Sequence, residues 1–581
     1  MGRMPLGRVA GTKDNIIYMD DKDRETHMHV IGATRTGKSK FLEHMIREDI
    51  IAGNGLCLID PHFQLYEAVL KWIVDNGLEA RRKIILLDPS EGEWIFGFNP
   101  LKDKTVEKSV QVDYMANACT KIWSEDDKSK PLLQECLRLL FFALAEHNLS
   151  LVESRFFTEE EHSTLRKRLT ADLENIAIKS NWSNVNKMRG LDFINYFSAS
   201  VRRLMALLTS PVMRQIVGQT EHTIHFRKVM DEGAIVLVNL CISERVSLDN
   251  AKALGTLLIN DIMTSCFGRP KGARPFYLYV DECQEFMNDD FAKILDQTSK
   301  YGLRLILSHQ HLSQLRRYGE YIFMSVMTNA RTKAVFGGLA YEDAEVLVKD
   351  IFPGDNLDLQ EWKPKLTKPT IVGYVRAWFQ SFAEGFGQTS GSADGMQRGS
   401  GGARGVSTSR TFSALGLNQE IVNSMAESFV DSYFDSVSSS YSQADSFSRI
   451  EGKSEGLEPV FEDLPIVPYS LQEQIHRAIG RMVQQPQRHA IIKLPNQNPQ
   501  FIETPWIVDP YVSEPRLEAA KKVCFVNSQV VKSVQEVTKE IAEREKKMFE
   551  LAKPRDARKE DPKTFREAEK IPKDEPTKYR S

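Results

Sequence analysis

The stretch from Gly32 to Ser39, reading G-A-T-R-T-G-K-S, constrains this chain more than any other. An apolar run from His29 to Ile31 leads into it, and helical spacing (Phe41, Leu42, Met45, Ile46) starts directly after it. A strand, a glycine-bounded loop ending in Gly-Lys-Ser and then a helix form the arrangement that cradles phosphate. Gly32 and Gly37 let the backbone curl so that successive N–H groups face a β-phosphate. The helix N-terminus adds its partial positive charge. Lys38 reaches the β- and γ-phosphates, and Ser39 offers a hydroxyl to Mg²⁺. Ala33, Thr34, Arg35, Thr36 and Lys40 complete the expected nucleotide contacts. The sequence therefore predicts that ATP binds here with Mg²⁺.

At 581 residues the chain is long enough for two or three domains. Its 41% hydrophobic content supports a sizeable core, and 27% charged residues suit a soluble protein. A net charge of −3 gives no global basic field, so any nucleic-acid contact must come from local patches such as a channel lining. Seven cysteines without C-x-x-C pairs argue for reduced thiols and against a zinc site. The first residues carry no apolar leader. The longest apolar runs, 137–145 and 234–240, fall far short of a membrane span. These features predict a cytoplasmic protein with no direct membrane insertion.

Apolar runs alternate with helical patterns along much of the chain. Leu56–Asp60 and Ile84–Asp88 are buried-strand patterns ending in carboxylates, separated by a helical stretch from Leu65 to Val74. Such alternation implies a parallel sheet with right-handed crossovers. Asp60 and Asp88 then lie at strand C-terminal ends, where open α/β sheets bind ligands. Asp60 is read as a functional carboxylate, with a turn carboxylate capping the next helix as the alternative; for Asp88 the cap is at least as good a reading. Helical spacing alone governs 106–215, which predicts an all-helical insert. The sheet resumes at Ala234–Leu240 and again at Phe276–Val280, which ends in Asp281 and Glu282. Beside a phosphate loop, Asp281 is placed to hold Mg²⁺ and Glu282 to orient and deprotonate the attacking water. The strand Leu303–Ser308 reaches Gln310, whose amide suits sensing a γ-phosphate or placing water, a satisfied loop residue being the alternative. Arg331 precedes a further strand at Ala334–Phe336 and is either surface or functional.

Residues 384–456 are rich in Ser and Gly and read as a linker. Within it, Ile421, Met425, Phe429, Tyr433, Val437 and Tyr441 recur at fourfold spacing, a pattern for a conditional helix. Residues 457–512 return to the motor domain, with a capping box at Ser470 and Glu473 and a strand at Ala490–Leu494. The tail, 513–581, carries a heptad-like stripe (Val530, Val534, Val537, Ile541, Met548) and then a mixed-charge end expected to be disordered.

His29–Ser39, Leu58–His62, Phe98–Leu101, Val280–Glu282 and Leu307–Gln310 together resemble the HerA/FtsK group of P-loop motors, most closely type IV secretion coupling proteins of the TraG/TraD kind. The resemblance implies a RecA-like α/β fold with a mostly parallel sheet, interrupted by the helical insert. It also implies a homo-hexameric ring that hydrolyses ATP between subunits and pulls DNA non-specifically through its channel, with relaxosome or type IV secretion subunits as partners. Arg331 would then serve a neighbouring subunit's γ-phosphate, with Lys333 next in line, and Arg316, Arg317 and Tyr318 are candidate DNA contacts. Two departures stand out. Arg35 occupies a position where the family has a small residue, and no membrane helices precede the motor, which favours a translocase anchored, if at all, through a partner at the inner face of the membrane. A HerA-like motor in DNA processing or anti-phage defence and a nucleotide-gated scaffold are the alternatives. An intact Glu282 argues against the scaffold.

Overall fold

The computed structural model describes residues 2–102, 106–122, 130–287, 289–352, 362–363, 371–387, 446–461 and 467–553. The chain divides into two compact units, Met1–Leu359 with Leu471–Ser581, and Gln360–Ser470.

An 11-stranded sheet forms the centre of the first unit. In chain order its strands are β1 (Arg3–Val9), β2 (Ile16–Asp20), β3 (Met28–Ile31), β4 (Gly55–Asp60) and β5 (Ile84–Leu87), with β6 (Trp94–Phe96) lying apart from it. Then come β7 (Ile235–Asn239), β8 (Phe276–Val280), β9 (Leu303–His309) and β10 (Thr332–Phe336). Across the sheet, β10, β3, β9, β8, β4, β7 and β5 run in that order and all pair in parallel. These strands are apolar and buried on both faces, as a parallel sheet covered by helices requires. Helices α1 (Lys38–Ile51) and α2 (Gln64–Asp75) supply part of that cover. A buried network ties α1 to the sheet: Arg24 pairs with Asp49 at 2.6 and 2.8 Å, and the Tyr279 hydroxyl donates to Asp49 at 2.5 Å.

The expected strands are all present, and the sheet is wider than the sequence suggested. Beyond β10 it continues antiparallel through a strand at His489–Lys493, one at Gln500–Glu503, then β1 and β2. Of the segment 457–512 expected to return to the first domain, the strands at 489–493 and 500–503 complete this unit's sheet, whereas 457–470 belong to the second unit. Helices fill the insert from Lys108–Ile122 to Pro211–Val217, and they share one apolar core with the helix Leu248–Phe267 and the face of the sheet opposite α1 and α2.

The tail does not hang free as far as it is described. A strand at Val531–Ser533 pairs antiparallel with β6. The helix Val534–Ala552 uses Val537, Ile541 and Met548 to pack into the same core as the insert. The heptad-like stripe is therefore an intramolecular packing face. The mixed-charge end beyond Lys553 lies outside the described residues.

The second unit holds a long antiparallel ribbon, Ile371–Gly387 with Ser446–Phe461, in one register from Gly373 opposite Val460 to Gly387 opposite Ser446, with an irregularity between Ile371 and Gly373. A short pairing of Trp362–Lys363 with Val467–Pro468 accompanies it. Both ends of the Ser/Gly-rich stretch, 384–387 and 446–456, therefore lie in strands, and 371–383 belong to this unit and not to the first. Composition hides this, because Ser and Gly are counted while the β-branched and aromatic residues at Ile371, Val372, Tyr374, Val375 and Trp378 favour a strand. The fourfold stripe from Ile421 to Tyr441 lies outside the described residues.

Candidate active site

The parallel register brings the functional strand ends to one edge. Ile31 of β3 is level with His309 of β9, and Val280 of β8 with Ile59 of β4. The loop after β3, the acids after β8, the amide after β9 and Asp60 therefore converge at the C-terminal edge, the ligand-binding edge of such sheets.

Tight backbone packing shapes the loop. A Cβ on Gly32 would come within 2.5 Å of the Phe336 Cβ, so only glycine fits against β10. Gly37, at φ 113°, turns the chain into α1. Ala33 N–H donates to the Gly337 carbonyl at 3.1 Å, and Arg488 N–H donates to the Thr36 carbonyl at 2.9 Å. Thr36 Oγ1 closes the curl by donating to the Ala33 carbonyl at 2.7 Å. Arg35 adopts a left-handed φ of 65° with its side chain exposed, so the bulky cation points away from the loop's packed side. Thr34 and Ser39 are also exposed.

Lys38 is buried and donates to the Gly32 carbonyl at 2.5 Å and the Ala33 carbonyl at 3.3 Å. Burial lowers its pKa, while Glu282 and Asp281 act to keep it charged. Lys40 turns elsewhere, to Glu43 at 2.8 Å and to Asp509.

One amide connects the two halves of the site. Gln310 Oε1 accepts from Thr34 Oγ1 at 3.3 Å, and its Nε2 donates to Glu282 Oε1 at 3.1 Å. The other Glu282 oxygen accepts from Gln284 Nε2 at 2.8 Å. Glu282 sits at φ 44°, a left-handed turn that bends the chain as β8 ends and lets successive acids serve one site. Asp281 is buried, and desolvation together with Asp60 and Glu282 pushes its pKa up to about 6. A buried carboxyl crowded by two others fits a divalent cation, which would supply the missing positive charge. Asp60 carries a helix-capping role: its oxygens accept from His62 N–H at 2.7 Å and Tyr66 N–H at 2.8 Å. Burial nevertheless raises its pKa, and its charge bears on Asp281. Asp88 accepts from Ser90 N–H at 2.9 Å and Asn239 Nδ2 at 3.0 Å, a turn role.

Arg331 stands apart from this cluster. It precedes Thr332, which is level with Met28 at the start of β3, so it lies at the opposite edge of the sheet from Lys38. There it is exposed and donates to Asn496 Oδ1 at 3.0 Å. Lys333 is buried and committed to Asp350 and the Met327 carbonyl, each at 2.8 Å. Arg316 and Arg317 are exposed, whereas Tyr318 donates its hydroxyl to the Gln284 carbonyl at 2.7 Å and so braces the Glu282 turn.

Gln284 escapes sequence reading because it lies past the acidic pair in a turn. A buried histidine pair beneath the site escapes it for another reason, since only the pairing of β3 with β9 brings the two together. His29 and His309 stack with ring centroids 4.7 Å apart and Nε2 atoms 2.5 Å apart. His309 Nδ1 lies 3.1 Å from the His311 carbonyl, which requires its proton there. His309 Nε2 is then the acceptor, His29 Nε2 the donor, and His29 Nδ1 has no partner. Burial holds His29 well below its usual pKa and brings His309 down to about 3. The pair joins the phosphate-loop strand to the strand carrying Gln310.

A family model, the TraM recognition site of TraD and TraG, matches residues 275–351, the segment containing Asp281, Glu282, Gln310 and Arg331. No curated protein matches by sequence. Among solved structures, the bacterial conjugative coupling protein TrwBdeltaN70 in its unbound monoclinic form aligns with a TM-score of 0.50 at 14% identity, over 87% of this chain and 91% of that one. Plasmid coupling protein TrwB in complex with ADP and Mg²⁺ aligns with a TM-score of 0.50 at 13% identity, over 88% and 91%. The trigonal TrwBdeltaN70 form in complex with sulphate gives 0.50 at 14%, over 88% and 92%. The chain thus has the P-loop NTPase fold, a large mixed sheet with an inserted helical region. More narrowly, it is similar in fold to the conjugative coupling protein TrwB, and its residues 275–351 are similar to the TraD/TraG model.

Proposed function

We propose that this protein is an ATP-driven DNA motor of the coupling-protein type, serving conjugative transfer. The observation that carries the reading is the bridge from Thr34 through Gln310 to Glu282, which links the phosphate loop to a carboxylate positioned as a general base. A pure binder has no use for that link. Lys38 would exchange its loop carbonyls for phosphate oxygens when ATP binds, and Ser39 with Asp281 would hold Mg²⁺, which would supply positive charge against the phosphates. Glu282 accepts a proton as water attacks the γ-phosphorus and ADP leaves, while Gln310 reports the γ-phosphate across the loop.

TrwB is described with ADP and Mg²⁺, and the shared fold supports the same cofactors here. We assign this chain a homo-hexameric ring, non-specific DNA as cargo and relaxosome proteins as partners. No helix among the described residues is long and apolar enough to cross a membrane.

Nucleotide binding and turnover in Lys38→Ala and Glu282→Gln test this reading. Lys38→Ala should lose ATP binding. Glu282→Gln should bind ATP and hydrolyse it at least about 100-fold more slowly, since general-base loss costs roughly 10²–10⁴. Near-wild-type turnover by Glu282→Gln would remove Glu282 from the mechanism.

A further inference from the structure

The helical insert carries a second cluster of ligating groups, unrelated to the phosphate loop. Glu159–His162 form the corner between the helices Arg155–Thr158 and Ser163–Ala171. His162 is only 7% exposed, packed against Phe156 at 4.8 Å and against Phe549 of the C-terminal helix at 5.7 Å between ring centroids. Its Nε2 lies 3.3 Å from Glu159 Oε2 and 3.4 Å from Glu161 Oε1. Neither contact is aligned as a hydrogen bond, so this buried nitrogen has no hydrogen-bond partner. Glu160 is accounted for separately, accepting from Gly190 N–H at 2.9 Å.

The geometry points to a divalent transition-metal site, of the kind zinc occupies, built from His162 Nε2, Glu159 and Glu161 with water completing the shell. Tetrahedral ligands at about 2.0–2.1 Å from a Zn²⁺ ion stand about 3.3–3.4 Å from one another. The two nitrogen–oxygen separations match that spacing. All three ligand atoms lie within 4.8 Å of one another, so the carboxylates must close in a little. They are free to do so, with side chains 40% and 69% exposed, and that exposure also gives the ion a way in. An imidazole nitrogen beside carboxylates selects a borderline metal over Mg²⁺ or Ca²⁺, which prefer oxygen alone. Arg155 Nη2, 3.4 Å from Glu159 Oε2, would give up that contact and keep its place over the Phe549 ring. The cysteine pattern argues against a zinc site, but this one uses no cysteine. Its effect would be structural: it would fix the corner on which Phe549, and so the end of the C-terminal helix, rests.

Tag-free, nucleotide-free full-length protein, dialysed against a chelator, should be titrated with Co²⁺ and then with competing Zn²⁺. Omitting nucleotide keeps the phosphate loop's own cation out of the measurement. We expect one equivalent per chain, with d–d absorption of tetrahedral intensity that Zn²⁺ abolishes. Glu161→Gln should weaken binding at least about tenfold, the scale on which even outer partners of metal ligands act. His162→Asn should remove the absorption. Because Glu161 is exposed, its variant tests the site even if His162→Asn does not fold. Absence of stoichiometric Co²⁺ binding, or binding unchanged in Glu161→Gln, would overturn the site and leave the ATPase reading untouched.

Discussion

A single amide, that of Gln310, holds the phosphate loop and Glu282, the proposed proton acceptor, in one hydrogen-bonded line. Without it, Glu282 keeps one side-chain partner, Gln284, and loses its connection to the loop. Gln310→Ala should therefore bind nucleotide much as the wild type does and turn it over about 10²-fold more slowly, the cost of losing one preorganised polar group near the reacting phosphate. Single-turnover hydrolysis beside a fluorescent-nucleotide titration separates the two effects. Equal losses in binding and turnover would reduce Gln310 to a packing residue. The residues of this line were legible in the sequence where chemistry is local, as in the Gly-Lys-Ser loop and the acids closing β8. Its partners were not. Thr34 and Gln310 are brought together only by strand order, and Arg488 reaches Thr36 from a segment that sequence reading placed in the motor without a register.

The strands β3 and β9 are joined below the site by buried neutral histidines, and this predicts acid lability. His27 accepts from Leu305 N–H at 3.0 Å, and its pKa is brought down to about 4 by burial first and Arg304 second. His309 stands at about 3. Both native values lie below the unfolded value of 6.5, so the unfolded chain takes up protons first as pH falls. Their contribution is complete above about pH 6.5 and declines toward the native values. At pH 5.5 each histidine should cost about 1.4 kcal/mol relative to neutral pH. Denaturant midpoints at pH 7.5 and 5.5 measure the loss, and His309→Gln should flatten part of it. A pH-independent midpoint over that range would mean the histidines are not buried neutral. Element by element, strands with unbroken apolar runs announced themselves. The long ribbon of the second unit did not, because its partners are separated by the Ser/Gly-rich stretch that dominates composition. The C-terminal helix likewise reads as a free stripe until the insert supplies the surface it covers.

For the molecule as a whole, the proposed function requires a ring that acts on DNA. Arg331 lies across the sheet from its own Lys38, so any part it plays in hydrolysis must be in a neighbouring subunit, where an inserted arginine contributes roughly 10³–10⁵ in rate. Arg331→Ala should bind ATP and hydrolyse it poorly, and mixing it with Lys38→Ala should restore part of the activity. Mixed assemblies with no recovered turnover would confine Arg331 to its contact with Asn496. With net charge near neutrality, the proposed DNA binding requires a concentrated patch and should weaken steeply with salt. The central claim is that hydrolysis moves DNA. The most direct test is displacement of a triplex-forming third strand, bound at a homopurine tract within an otherwise random-sequence duplex, by the purified protein at low salt and with ATP. We predict displacement that needs hydrolysis, absent with a non-hydrolysable analogue and in Glu282→Gln. Hydrolysis by the wild type with no strand displaced, or displacement that persists in Glu282→Gln, would contradict the account.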